Sequence, residues 1–322
     1  MRQIIGIAAL MSLCVLIGGG AVSAAAESPS KTLSYHLVND VPLRYRLTAN
    51  IYGTVPIMGA QSDSPLTAVL TIVYQLRPKA VLADGSMDID FKGESADAEI
   101  EGIPFPIDPE QAQQLLNQSA TLSRTGEILK TKPSAALPFS VTVPGVDPRR
   151  LYSLLFPVVF SSKAVKVGDK WAFPSQLISG EGAKVDFTGH LQAPKGKLKN
   201  MPEVDEKGFT APTGKDIHRL GETINVVLQQ KLDNEKKPVK DDSKATRTRN
   251  GKITGEGIYY FDQNLGYLIN GVLNMRADIL EKVIGEPANP NEPKELVSKV
   301  KVRIVIQLID AKEIGQAAAE GK

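Results

Sequence analysis

Period-two alternation of apolar and polar residues constrains the fold of this 322-residue chain more than any other feature. Leu43, Tyr45, Leu47, Ala49 and Ile51 alternate with Arg44, Arg46, Thr48 and Asn50. In an extended chain this places the apolar set on one face and the polar set on the other, whereas a helix would scatter both around its axis. Leu70, Ile72, Tyr74 and Leu76 repeat the pattern, as do Ile224, Val226 and Leu228, and Val300, Val302, Ile304, Ile306 and Leu308. Such segments are half-buried strands of antiparallel sheets, and the last is expected to be central to its sheet.

Turn residues punctuate the alternation. Ala83-Asp84-Gly85, Arg124-Thr125-Gly126, Gly168-Asp169 and Phe261 to Gly266 (FDQNLG) each separate two apolar runs, as hairpins require. Ser86 to Phe91 and, beyond Gly93-Glu94, Asp97 to Glu101 read as two strands of a meander. Further strands are expected at Val165 and Val167, at Trp171 and Phe173, and over 184–191, 251–261 and 267–273. Two Asp-Pro pairs announce helices, since Asp caps and Pro is tolerated at the first helical position. One starts at Asp108-Pro109. The other starts at Asp147-Pro148 and carries Leu151, Leu154, Leu155 and Val158, with Pro157 bending or ending it. The proline-rich stretch 133–144 marks a boundary.

The first 26 residues read as a secretory signal: Arg2, an apolar run from Ile4 to Ile17, three glycines and an alanine-rich flank. Cleavage is expected after Ala26, with a cut after Ala24 nearly as well supported. The apolar run is too short and glycine-broken to serve as a stable span. The expected organisation is therefore a signal peptide (1–26), an N-terminal β-rich domain (27–144) and a C-terminal β-rich domain (145–322) with a short helix at its start. The fold class is mainly β: two antiparallel, curved, half-barrel-like sheets with two or three short helices. Glycine hairpins late in each half, at Gly126 and Gly266, raise an internal duplication.

Cleavage would remove Cys14, the only cysteine, which excludes disulfides and thiolate metal sites from the mature chain. It would also remove Arg2, so 38 basic residues become 37 against 36 acidic ones. Residues 195–252 hold 14 Lys and Arg against 9 acids, but almost no aromatics are interleaved to stack bases. They read as solvated loops rather than a nucleic-acid surface.

Over Lys163 to Trp171 the chain carries Val165, Val167, Gly168, Asp169 and Trp171, and later Gly257, Phe261, Asp262 and Gly266. In these V-x-V-G-D-x-W and G-x-x-x-F-D-x-x-x-G segments it resembles a group of exported bacterial proteins classed only as a domain of unknown function. The resemblance implies a β-rich exported protein and transfers no catalytic residue.

Chemical signatures are sparse. His36, His190 and His218 lie in separate segments without a metal-ligand spacing, and no G-x-S-x-G elbow is present. Gly251, Gly255 and Gly257 lead into a strand, not a helix, and so read as strand or bulge positions rather than a phosphate loop. Trp171 reads as a core anchor. The run Leu151 to Phe160 reads as a cover for an open sheet.

No catalytic, cofactor-binding or metal-ligating residue is assigned. The acidic residues Asp88, Asp90, Asp97, Glu99 and Glu101 are the best chemical candidates, because paired strands could bring them together. Two functions follow. The first is a noncatalytic exported binding or envelope-associated protein, holding a lipid or other apolar ligand, or an envelope protein, in a groove of a curved sheet. The alternative is a secreted hydrolase of envelope polymer or glycan that uses those carboxylates, and it requires them to converge in a concave cleft.

Overall fold

The alternating segments are strands, and all of them belong to one sheet. The computed structural model describes residues 29–37, 41–54, 65–105, 107, 110, 117–132, 153–174, 183–193, 216–234, 238–285 and 293–309. From the first half come β1 (Leu43–Thr54), β2 (Leu66–Val81), β3 (Met87–Ile100), β4 (Ile103–Phe105), β5 (Gln118–Leu122) and β6 (Ile128–Lys132). The second half supplies β7 (Lys170–Phe173), β8 (Ala183–Gln192), β9 (Ile217–Leu232), β10 (Arg247–Asp262), β11 (Tyr267–Val283) and β12 (Glu295–Ile309).

The strand order is β6-β5-β3-β2-β1-β12-β11-β10-β9-β8-β7, with β4 on the edge of β3. The chain thus starts mid-sheet and steps outward to the β6 edge. It then crosses to the opposite edge at β7 and steps inward until β12 pairs with β1 over eleven residue pairs. Among the described residues this is the cyclic order of an up-and-down barrel with one rung, β6 to β7, left unmade.

The sheet is strongly rolled. β5 and β10 are six positions apart, which in a flat sheet would separate them by about 29 Å. Yet the Tyr35 ring fills the space that a Cβ on Gly126, in the β5–β6 turn, would need, and the same ring lies edge-on to Phe261 of β10 at 5.3 Å. Two consecutive residues span the free edges directly. Trp171 Nε1 on β7 donates to the Val159 carbonyl at 2.7 Å, and Phe160 N donates to the Thr125 carbonyl in the β5–β6 turn at 2.7 Å.

The mainly β, antiparallel class read from the sequence is observed, with the two expected sheets joined into one through the β1–β12 ladder. The expected meander over 86–101 is instead the single strand β3. The Gly93-Glu94 signal produces a bulge, a register shift opposite Val73 and Tyr74, where one unpaired residue bends the strand without reversing it. The second helix is reduced, in its described part, to one tight turn over 153–155 followed by extended chain. Pro157 explains this, since it lacks a donor and disfavours helical geometry at Phe156. Val165 forms a lone bridge with Lys31 rather than part of a strand with Val167. Asp169 diverts the chain into a turn, accepting from Lys166 N through Oδ2 at 2.9 Å. The signal segment, the 144 boundary and nearly all of the Asp108 helix lie outside the described residues.

Candidate ligand-binding interior

The inward face of the roll is apolar across its width. One row runs in register through Leu191, Leu220, Tyr259, Gly271, Ile306, Leu47 and Ile72, crossing seven strands without a charged side chain. All of these positions except Gly271 belong to one continuous hydrophobic cluster. Each is the inward half of an alternating strand, so the period read from the sequence sets the chemistry of the lining.

One rim is stoppered. Leu33, Tyr35 and Leu37 from the segment before β1, and Leu154 to Phe160 from the crossover, are all buried in the same cluster except for Pro157, which is not an apolar core member. The Tyr35 and Phe160 rings stack at 4.6 Å, and Phe160 meets Phe261 edge-on at 4.9 Å. Tyr35 OH donates to the Val158 carbonyl at 3.2 Å. Tyr45 OH does the same for the Leu268 carbonyl at 2.6 Å. Burial holds both phenols protonated, far above their ordinary range.

Among the described residues, buried acids interrupt the lining at two places. Glu222 on β9 is buried and flanked in the ladder by Gly189 and Gly257. The space those glycines leave is taken by the Trp171 ring and the Tyr259 hydroxyl. Tyr259 OH donates to Glu222 Oε2 at 2.6 Å. Desolvation pushes the Glu222 carboxyl up to about 8, against a smaller downward pull from that hydrogen bond, so at neutral pH it is mostly the uncharged acid. At the opposite end of the same face, Glu281 on β11 is buried beside Arg249, with Oε2 3.1 Å from Nη2. Arg247 Nη1 lies 3.7 Å from Glu281 Oε1, and Arg249 Nη1 donates to Gln230 Oε1 at 3.3 Å.

The acidic candidates do not converge. Asp88, Asp90, Asp97 and Glu99 all face outward on β3, strung along the strand. Nine residues separate Asp88 from Asp97, about 30 Å of extended chain. Asp88 accepts from Thr121 Oγ1 at 2.7 Å, and Asp90 accepts from Ser119 Oγ at 2.6 Å and pairs with Lys79. Glu101 lies beyond the strand in a left-handed turn. The concave cleft required by the hydrolase reading is therefore not formed by these residues.

His36 is near Asn264 O, His190 near Gln192, and His218 near Gln263, so the three histidines stay apart. Among the described residues no group of three His, Cys, Asp or Glu is placed to hold a metal ion, and no helix is long and apolar enough to cross a membrane.

Neither interior acid, Glu222 or Glu281, stands out in the sequence as a candidate. Glu222 was legible, since the face carrying Ile224, Val226 and Leu228 extends back to it by one step of two. Arg247 and Arg249 fall in the stretch 195–252 that reads from sequence as solvated loops. They begin β10, and their inward direction follows from the parity of Ile253 and Tyr259 further along the same strand.

No protein-family model and no curated protein matches the chain. Among solved structures it is similar to lipovitellin, in a structure concerned with lipid–protein interactions. That match has 11% identity and a TM-score of 0.41, and covers 85% of this chain and 25% of the other. The chain therefore spans about a quarter of the lipovitellin chain. DynF from the dynemicin biosynthesis pathway of Micromonospora chersina is matched at 7% identity and a TM-score of 0.21, over 89% of each chain. An outer membrane channel from Pseudomonas putida F1 is matched at 12% identity and a TM-score of 0.20, over 84% of this chain and 97% of that one. Scores this low carry no functional argument.

Proposed function

We propose that this chain is an exported binding protein that holds a lipid or other apolar ligand inside its rolled sheet. The observation that carries the reading is the apolar lining of a roll whose β6–β7 rung is unmade. An eight-stranded barrel is just filled by its own side chains, and larger ones enclose cavities. Eleven strands in one path supply more wall than a self-filled interior needs. The unmade rung gives a bulky ligand a lateral way in that a closed barrel would deny. The buried acid of Glu222 and the Arg247, Arg249 and Glu281 group supply the few polar anchors that a mostly apolar site uses for orientation.

The test is organic extraction and mass spectrometry of the protein purified from its native host. Stoichiometric lipid or another apolar small molecule is expected. Extracts indistinguishable from those of an unrelated exported protein handled in parallel would reject the reading.

A further inference from the structure

A trough of about 870 Å³ crosses β9, β10, β11, β12, β1 and β2, lined mostly by outward-facing residues of these strands, with Ile51, Ile224, Gly255, Met275 and Val302 of the inward row also touching it. Its charge arrangement is not one that stabilises a sheet. Arg276 on β11 stands directly opposite Lys301 on β12, where like charges face each other across roughly 5 Å and oppose pairing. Arg303 follows two residues along β12, and Lys252 lies on β10, where Asp278 of β11 stands opposite it. Glu256 is the one acid among the described lining residues. Elsewhere the same two strands balance their charges: Asp278 stands opposite Lys299, and Lys282 Nζ pairs with Glu295 at 2.6 Å. The unbalanced row coincides with the trough.

The lining is more than cationic. Lys301 is followed in its row by Tyr52 of β1, whose side chain is 54% exposed. Asn50, Asn225 and Thr254 supply amide and hydroxyl groups that both donate and accept. An exposed aromatic ring offers a face for the C–H side of a pyranose, amides and hydroxyls match sugar hydroxyls, and guanidinium and ammonium groups match acidic substituents. A flat bilayer surface would not follow a trough, and a purely acidic peptide would have no use for the ring and amides. We propose that this outward trough binds an anionic oligosaccharide, independently of any ligand held in the interior.

The full chain is titrated calorimetrically with a six-residue oligogalacturonate. Maltohexaose, polyglutamate and phosphatidylglycerol vesicles serve as the neutral-sugar, acidic-peptide and membrane comparisons. Salt-sensitive binding of the oligogalacturonate alone is expected. R276Q/K301Q should weaken it by about ten-fold or more, and Y52A several-fold. All three positions are exposed, and unchanged circular dichroism confirms that the variants fold. Equal binding of polyglutamate with no effect of Y52A would reduce the trough to a charged patch and overturn the proposal. Binding of vesicles but not of the free sugar, or no binding at all, would overturn it as well.

Discussion

Glu222 is a carboxyl group enclosed by hydrocarbon and aromatic rings, with Tyr259 as its hydrogen-bond donor. Burial costs the charged form most, so the fold holds the proton up to about 8, against an ordinary value of 4.5. Between those values the folded protein binds a proton that the unfolded chain has released. Stability from this residue is therefore fully present below about pH 4.5, falls as pH rises through the window, and levels off above about 8. His190 and His218 act in the opposite sense on the acid side, because burial lowers both. The difference between wild type and Glu222→Gln isolates the carboxyl. Urea denaturation at pH 5 and pH 8 is expected to show a loss of several kcal/mol in wild type that the glutamine variant lacks. Equal slopes in the two proteins would mean that Glu222 is ionised in the fold.

The crossover 153–165 is the element that turns a curled sheet into a nearly closed one. Its hydrogen bonds reach Trp171 on one free edge and Thr125 beside the other, and its rings fill the rim between Tyr35 and Phe261. Phe160→Ala removes a ring that stacks on Tyr35 and meets Phe261 edge-on, and opens a cavity at the junction. A loss of about 3–5 kcal/mol in denaturant unfolding is expected; a loss below about 1 kcal/mol would show that the rim collapses around the gap. The covering role of the run was legible for its described part Leu154 to Phe160, because a stretch without polar side chains beside an alternating sheet has nowhere else to go. Its conformation was not, because Pro157 ends helical geometry that the Leu spacing favours. Alternation likewise exposed the inward faces of β1, β2, β9 and β12, where side-chain period and backbone period coincide. It could not join β1 to β12, since pairing of strands about 250 residues apart leaves no local mark beyond two compatible apolar faces. The five acids on and beside β3 misled for a related reason: spacing fixes the face a residue occupies, but a bulge and a turn differ only in backbone geometry.

At the scale of the whole molecule, the order of strands places both free edges at the seam of one roll. β6 and β7 are short, and exposed Lys130 and Lys170 lie on them, which are the features that keep unpaired edges from joining a second sheet. The edges are tied at the rim where the crossover passes, and beyond it the rung is unmade. If an apolar ligand passes between them, the seam must widen without breaking any of the ten ladders that build the path from β6 to β7, because each carries hydrogen bonds the seam lacks. A clamp across the seam should then block exchange while leaving the fold intact. Leu129 on β6 is 49% exposed and Ala172 on β7 is exposed. Leu129→Cys and Ala172→Cys, combined in a Cys14→Ser background, give one thiol on each side for a bifunctional maleimide. The cross-linked protein is expected to take up a fluorescent fatty acid at least about ten-fold more slowly than the same double variant capped with a monofunctional maleimide, a barrier increase of about 1.4 kcal/mol. Equal uptake rates, with cross-linking verified by intact mass, would place the route at the rim opposite the Tyr35 and Phe160 stopper, beside Arg247, Arg249 and Glu281. Arg249→Gln would then be expected to change the rate where the seam clamp does not.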